Sequence, residues 1–125
     1  MIEAVRCNPK VIGYCVHALT AGDWIMGAAL IDLWRNPKQS YYGTKEANAP
    51  RYLALRIMPR NIYAEKGAQI VVTGINDLEV VAGTLEIVVA DAEGTTVSLV
   101  EEKLNLESGI TELVNHALDT AELAG

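Results

Sequence analysis

The chain is 125 residues long, half of them apolar, with 10 Lys and Arg against 16 Asp and Glu and a formal charge of -6. That length suits one globular domain or parts of two, and it falls below the roughly 200 residues that a complete (β/α)8 barrel needs. No stretch approaches the roughly 20 apolar residues of a membrane-spanning helix, and the positive residues are scattered rather than gathered in a stripe, so neither a membrane nor nucleic acid is an expected partner.

Residues 1–16 lack the basic flank, long apolar run and cleavage site of a signal peptide, so no export address is expected there. Cys7 and Cys15 stand apart from any second CxxC or histidine cluster, which argues against zinc and for two buried thiols beside a strand. Residues 11–19 (VIGYCVHAL) are mostly apolar, of strand length and without strict alternation. That is the pattern of a strand buried on both faces, as in a parallel sheet. A loop over residues 20–24 follows. Residues 25–34 are too apolar on all sides to be a solvated element and are expected to be packed. Asn36 offers a side-chain oxygen as N-cap and Pro37 a fixed φ in the first turn, which predicts a helix over residues 37–48. Pro50 keeps Ala49 out of the α region and ends it. Strand, loop and helix in that order form the half-unit of an α/β barrel or doubly wound sheet.

Beyond Pro50 the period becomes two. Leu53, Leu55 and Ile57 alternate with Ala54, Arg56 and Met58; Ile70, Val72 and Gly74 with Val71, Thr73 and Ile75; Leu85, Ile87 and Val89 with Glu86, Val88 and Ala90. These alternations predict three strands, and the turn Asp91-Ala92-Glu93-Gly94 leads to a fourth over residues 95–101. Short strands separated by turn signals fit an antiparallel sandwich of immunoglobulin-like type. In the tail, Ile110, Leu113, Val114, Ala117, Leu118 and Ala121 recur at helical spacing while the preceding strands favour β structure, so local pattern leaves helix and strand both open.

A set of short motifs then combines along the chain. Asn8-Pro9-Lys10-Val11-Ile12-Gly13-Tyr14-Cys15 is followed by Leu19-Thr20, by Asp23-Trp24 and by Leu33-Trp34-Arg35-Asn36-Pro37-Lys38. Ala49-Pro50 and Met58-Pro59-Arg60-Asn61-Ile62-Tyr63-Ala64 continue it. Together they resemble glycoside hydrolase family 2, the group of β-galactosidases, β-glucuronidases and β-mannosidases. The resemblance covers essentially the whole chain and lies in the combination, since each motif alone is common. It implies an α+β chain in two parts. Residues 1–50 would be the last strand–helix unit of a (β/α)8 barrel with its active-site loop, and residues 51–125 an incomplete immunoglobulin-like antiparallel β-sandwich behind it. It also implies that Met1 lies inside a larger enzyme and that Gly125 precedes a closing strand. In the tail it favours extended structure with a short helical turn.

A retaining glycosidase needs two carboxyl groups about 5–5.5 Å apart, one nucleophile and one acid/base. In the family these are Glu residues on earlier barrel strands, and neither motif is present here, so the chain is expected to hold no catalytic residue and to be inactive alone. Before Pro50 the carboxylates are Glu3, Asp23, Asp32 and Glu46, of which only Asp23 falls on the loop where barrel active sites are built. Trp24 beside it is a flat ring suited either to stacking on a sugar face or to covering the barrel mouth against Ile25 and Met26. His17 is a candidate imidazole–carboxylate partner of Asp23, against the plainer reading of a strand-end histidine bonded to backbone. The resemblance places Trp24, Asp23 and His17 in the substrate pocket of a carbohydrate-cleaving parent.

Tyr14 reads as core, Tyr41 and Tyr42 as packing and surface residues of the helix, and Glu101, Glu102, Glu107 and Glu112 as a solvated face. GxGxxG, a Walker lysine and a GxSxG elbow are absent, and neither cofactor nor metal is expected. Two rival readings are a β-sandwich that binds glycan or protein without catalysis and a structural spacer. Exposed strand edges beside apolar surface predict self-association.

Overall fold

The computed structural model describes residues 2–22, 29–63, 66–90 and 94–121, with the backbone alone at 97–99. The chain divides into two compact units, Met1–Tyr52 and Leu53–Gly125. Its elements are α1 (Ile2–Arg6), α2 (Gln39–Ala47), β1 (Arg51–Met58), β2 (Ala68–Asn76), β3 (Val81–Ala90), β4 (Thr96–Leu106) and β5 (Gly109–Leu118).

In the first unit the helix forms where Pro37 and Pro50 bracket it, but Lys38, extended at φ -85°, is its N-cap and makes no side-chain cap bond. Asn36 is engaged elsewhere, with its side-chain amide donating to Asp32 Oδ2 at 3.0 Å. The C-terminal end of α2 is better satisfied. The Arg6 guanidinium donates to the carbonyls of Ala47 and Ala49 at 2.7 and 2.8 Å, and Asn48 Nδ2 donates to the Thr44 carbonyl at 2.7 Å. Carbonyls that a helix end leaves without an intrahelical donor are thereby paired.

The barrel-type strand expected over residues 11–19 is not formed. These residues are irregular, with Ile12 fully exposed and Leu19 mostly so. A strand buried on both faces requires neighbours to pair with and layers to cover it. The isolated bridges among the described residues are Thr20 with Ile31, parallel, and Ile31 with Pro37, antiparallel. Within the apolar segment 25–34, residues 25–28 lie outside the described residues. Ala29 is buried as expected, whereas Leu33 and Trp34 are 51% and 80% exposed. Cys7 is half-buried and Cys15 exposed, not the buried pair expected. Tyr14 is exposed too, its hydroxyl donating to Asn48 Oδ1 instead of packing in a core. Tyr41 and Tyr42 do behave as a helix packing-and-surface pair, with rings edge to face at 5.5 Å.

In the second unit β1, β2 and β5 form a three-stranded sheet in that order, and β3 and β4 a two-stranded one. β2 runs antiparallel to β5, from Ala68 opposite Leu118 to Asn76 opposite Gly109, and β3 antiparallel to β4, from Val81 opposite Leu106 to Ala90 opposite Thr96. The three strands predicted from the period of two and the fourth expected after the turn are all present, and β4 runs on to Leu106. Ala68, Ile70 and Val72 of β2, Leu85 of β3, and Val114 and Leu118 of β5 form one buried cluster, with Ile87, Val89, Leu104 and Leu113 packed against it. Apolar residues from both sheets thus share a core, an arrangement compatible with a β-sandwich. Residues 91–93 of the expected turn lie outside the described residues, while Gly94 takes φ +85°, a conformation that glycine adopts without strain.

The tail is a strand, and the apolar residues at helical spacing do not share one face of it. Val72 faces Val114 but Thr73 faces Glu112, so Leu113 is an extra residue in β5. The bulge sets Leu113 beside Val114 on the inner side, whereas Ile110 and Ala117, which complete the helical pattern, are exposed on the strand. Room for Leu113 comes from Gly74, where a Cβ would overlap the side chains of both Leu106 and Leu113.

Candidate functional site

Of the three pocket residues expected from sequence, Asp23 and Trp24 lie outside the described residues. His17 is exposed on the irregular segment, not at a strand end as expected. The structure therefore offers no geometry for these three together.

It does organise the turn just downstream. The backbone N–H of Asn36 donates to Asp32 Oδ1 at 2.8 Å and its side-chain amide to Oδ2 at 3.0 Å, so one carboxylate holds one residue twice. The main chain closes the same turn, with Asp32 N–H donating to the Asn36 carbonyl at 2.9 Å and Arg35 N–H to the Asp32 carbonyl at 3.1 Å. Arg35 sits at φ +71°, in the left-handed region that a non-glycine residue enters only when its surroundings fix it. The Asn36 side chain is the chief cause that holds the Asp32 carboxyl below its ordinary value. Desolvation is the next largest effect and opposes it, and bonds from the Asn36 and Trp34 backbone and the charge of Lys38 add to the lowering.

This turn projects Trp34 into solvent. A flat indole on a fixed backbone can lie against the apolar face of a sugar ring while its N–H meets a hydroxyl. Sequence reasoning absorbed Trp34 into an apolar segment and so missed it as a surface residue. The readable signal was Asp32 and Asn36 four residues apart, a side chain that can close a turn on itself.

Two shallow grooves are further candidates. One, of about 410 Å³, is lined by Ile2, Glu3, Ser40, Gly43, Thr44 and Ala47. Its carboxylate, Glu3, accepts the Tyr52 hydroxyl, and that bond, helped by desolvation and the negative charge of Glu3, pushes the phenol up to about 12. The other, of about 360 Å³, lies on the β3–β4 ribbon and is lined by Ala82, Gly83, Thr84, Lys103, Leu104 and Asn105. Neither lining holds two carboxylates. Glu86 and Glu101 stand directly opposite each other across β3 and β4, but both are exposed on the sheet surface, where no cleft would orient a glycosidic bond between them.

Among the described residues no group of three or more His, Cys, Asp or Glu side chains is placed to hold a metal ion, and no helix is long and apolar enough to cross a membrane. Comparison of the chain with protein-family models, with curated proteins and with solved structures gives no match.

Proposed function

We propose that this chain is a non-catalytic portion of a retaining β-glycosidase similar to glycoside hydrolase family 2. In this reading residues 1–50 close the catalytic barrel, and residues 51–125 form the immunoglobulin-like sandwich behind it. The observation that carries the proposal is the order of elements around the quoted motifs. A helix follows Asn36-Pro37-Lys38 directly, it ends before Ala49-Pro50, and the chain then changes character to two β-sheets over one core. From the helix onward that is the order the motif resemblance implies, while the strand it also implies over residues 11–19 is not formed. The exposed apolar run at residues 11–19 supports it further, because contiguous apolar surface of this kind marks a segment that another surface covers. Within the larger enzyme Trp24 and Asp23 would line the sugar pocket with His17 nearby, and the carboxylate pair would come from elsewhere in the polypeptide.

The experiment is to read the coding frame upstream of Met1 and express the longer product. An in-frame barrel carrying two Glu residues on earlier strands supports the reading. In that enzyme Trp24→Ala should lower kcat/KM about tenfold or more, since an aromatic contact contributes roughly 0.5–1.5 kcal/mol beyond the burial lost with it. An upstream frame without such a barrel contradicts the proposal.

A glycan-binding module without catalysis is the second reading, and the specific observation favouring it is Trp34, 80% exposed on its hydrogen-bonded turn. Binding of oligosaccharides by the 125-residue chain, lost on Trp34→Ala, would establish it.

A further inference from the structure

β1 is the terminal strand of the order β1-β2-β5, so one of its edges faces no other described strand. Leu53, Leu55 and Ile57 fall at alternate positions on one face of it and are 49%, 58% and 39% exposed, while Ala54 between them is buried. An edge strand with an exposed apolar stripe is a template for another strand. Pro50 and Pro59 flank the eight residues of Arg51–Met58 on either side, and a proline lacks the N–H that a ladder needs, so a pairing strand is confined to this stretch.

The stretch is complementary to itself. Paired antiparallel with Leu55 of one copy opposite Leu55 of the other, Leu53 meets Ile57, Tyr52 meets Met58, and Ala54 meets Arg56. All three exposed apolar residues then find apolar partners on one face, and no charge meets a like charge. Centring the pair on Arg56 would put two guanidinium groups directly opposite, which destabilises a sheet. A slip of one residue would join the apolar face of one copy to the opposite face of the other.

We infer that β1 is a dimerisation edge: two copies of this chain pair their β1 strands about a two-fold axis at Leu55 and join two three-stranded sheets into one of six strands. The same patch serves both partners, as a closed two-fold contact requires. Each copy carries a charge of -6, so the copies repel at long range and salt should strengthen the dimer. The inference does not depend on the glycosidase reading.

The test is sedimentation of the 125-residue chain over a range of concentrations, with Leu55→Lys, Leu55→Glu and an equal mixture of the two. Leu55 is exposed, so both variants should melt like the wild type. Wild type should pass from monomer to dimer with concentration. Each variant alone should dimerise at least about tenfold more weakly, and the mixture should recover the dimer because Lys then faces Glu. Amide exchange at residues 53–58 should slow with concentration in the wild type, a readout independent of the variants. A wild-type chain that stays monomeric throughout, variants that dimerise as well as wild type, or a folded mixture that stays monomeric would each overturn the inference.

Discussion

The side-chain amide of Asn76 donates to the carbonyl oxygen of Leu106 at 3.0 Å, joining the last residue of β2 to the last residue of β4. The same amide donates to the Glu79 carbonyl at 3.0 Å, and Asn76 Oδ1 accepts the Leu78 N–H at 3.0 Å. One fully buried side chain thus fixes the crossover from the first sheet to the second. Asn76→Ala removes all three bonds, the one to the Leu106 carbonyl being buried, at a cost of about 2–4 kcal/mol. Urea denaturation measures it; a loss under about 0.5 kcal/mol, the scale of a surface substitution, would mean that the crossover is held by other contacts.

Gly74 is required by its neighbours. Gly74→Ala should destabilise the chain by about 1–3 kcal/mol through overpacking against Leu106 and Leu113. Combining it with Leu113→Ala should cost less than the two single changes added, because the second substitution removes part of the clash. Strict additivity in the cycle would show that Leu113 does not depend on the space at Gly74.

Tyr52 should titrate well above the ordinary tyrosine value. Its hydrogen bond to Glu3 favours the neutral phenol and raises its pKa from 10.0 to about 12. A folded value above the unfolded one stabilises the fold fully below about pH 10, and that contribution fades as pH rises toward about 12. Tyrosinate absorbance should therefore show a late-titrating component that Tyr52→Phe removes and Glu3→Gln moves earlier. Unchanged curves in both variants would rule the coupling out.

Asp32 should titrate below its ordinary value of 3.8 and return toward it in Asn36→Ala, which removes the chief cause of the shift. The sign is that of a depressed carboxylate: any support it gives the turn is present above the unfolded value and is lost as pH falls through the folded one. Carboxyl chemical shifts against pH check this; a wild-type value at or above 3.8 would contradict the geometry.

The β-strands were legible because apolar residues at every second position in β1, β2 and β3 state their own register. The tail was not, because its apolar residues fall on both faces of β5, with Ile110 and Ala117 exposed, and the bulge at Leu113 interrupts the period of two. The helix was legible from Pro37 and Pro50, but its N-cap was not, since Asn36 bonds to Asp32 and Lys38 takes the cap. Residues 11–19 have the composition of a buried strand, yet composition cannot supply the neighbours a strand pairs with, and here they are irregular. Among the candidate site residues only His17 falls in the described part, and nothing in the alternation of the sequence foretold the exposed Trp34.

The most direct measurement is hydrolysis of aryl β-galactoside, β-glucuronide and β-mannoside by the longer polypeptide, with the 125-residue chain assayed beside it. A family 2-like parent should turn over at least one of these substrates, and the chain alone, lacking the carboxylate pair, should release no more product than buffer. Turnover that co-purifies with the 125-residue chain, or none from the longer polypeptide with any of the three, would contradict the proposed function.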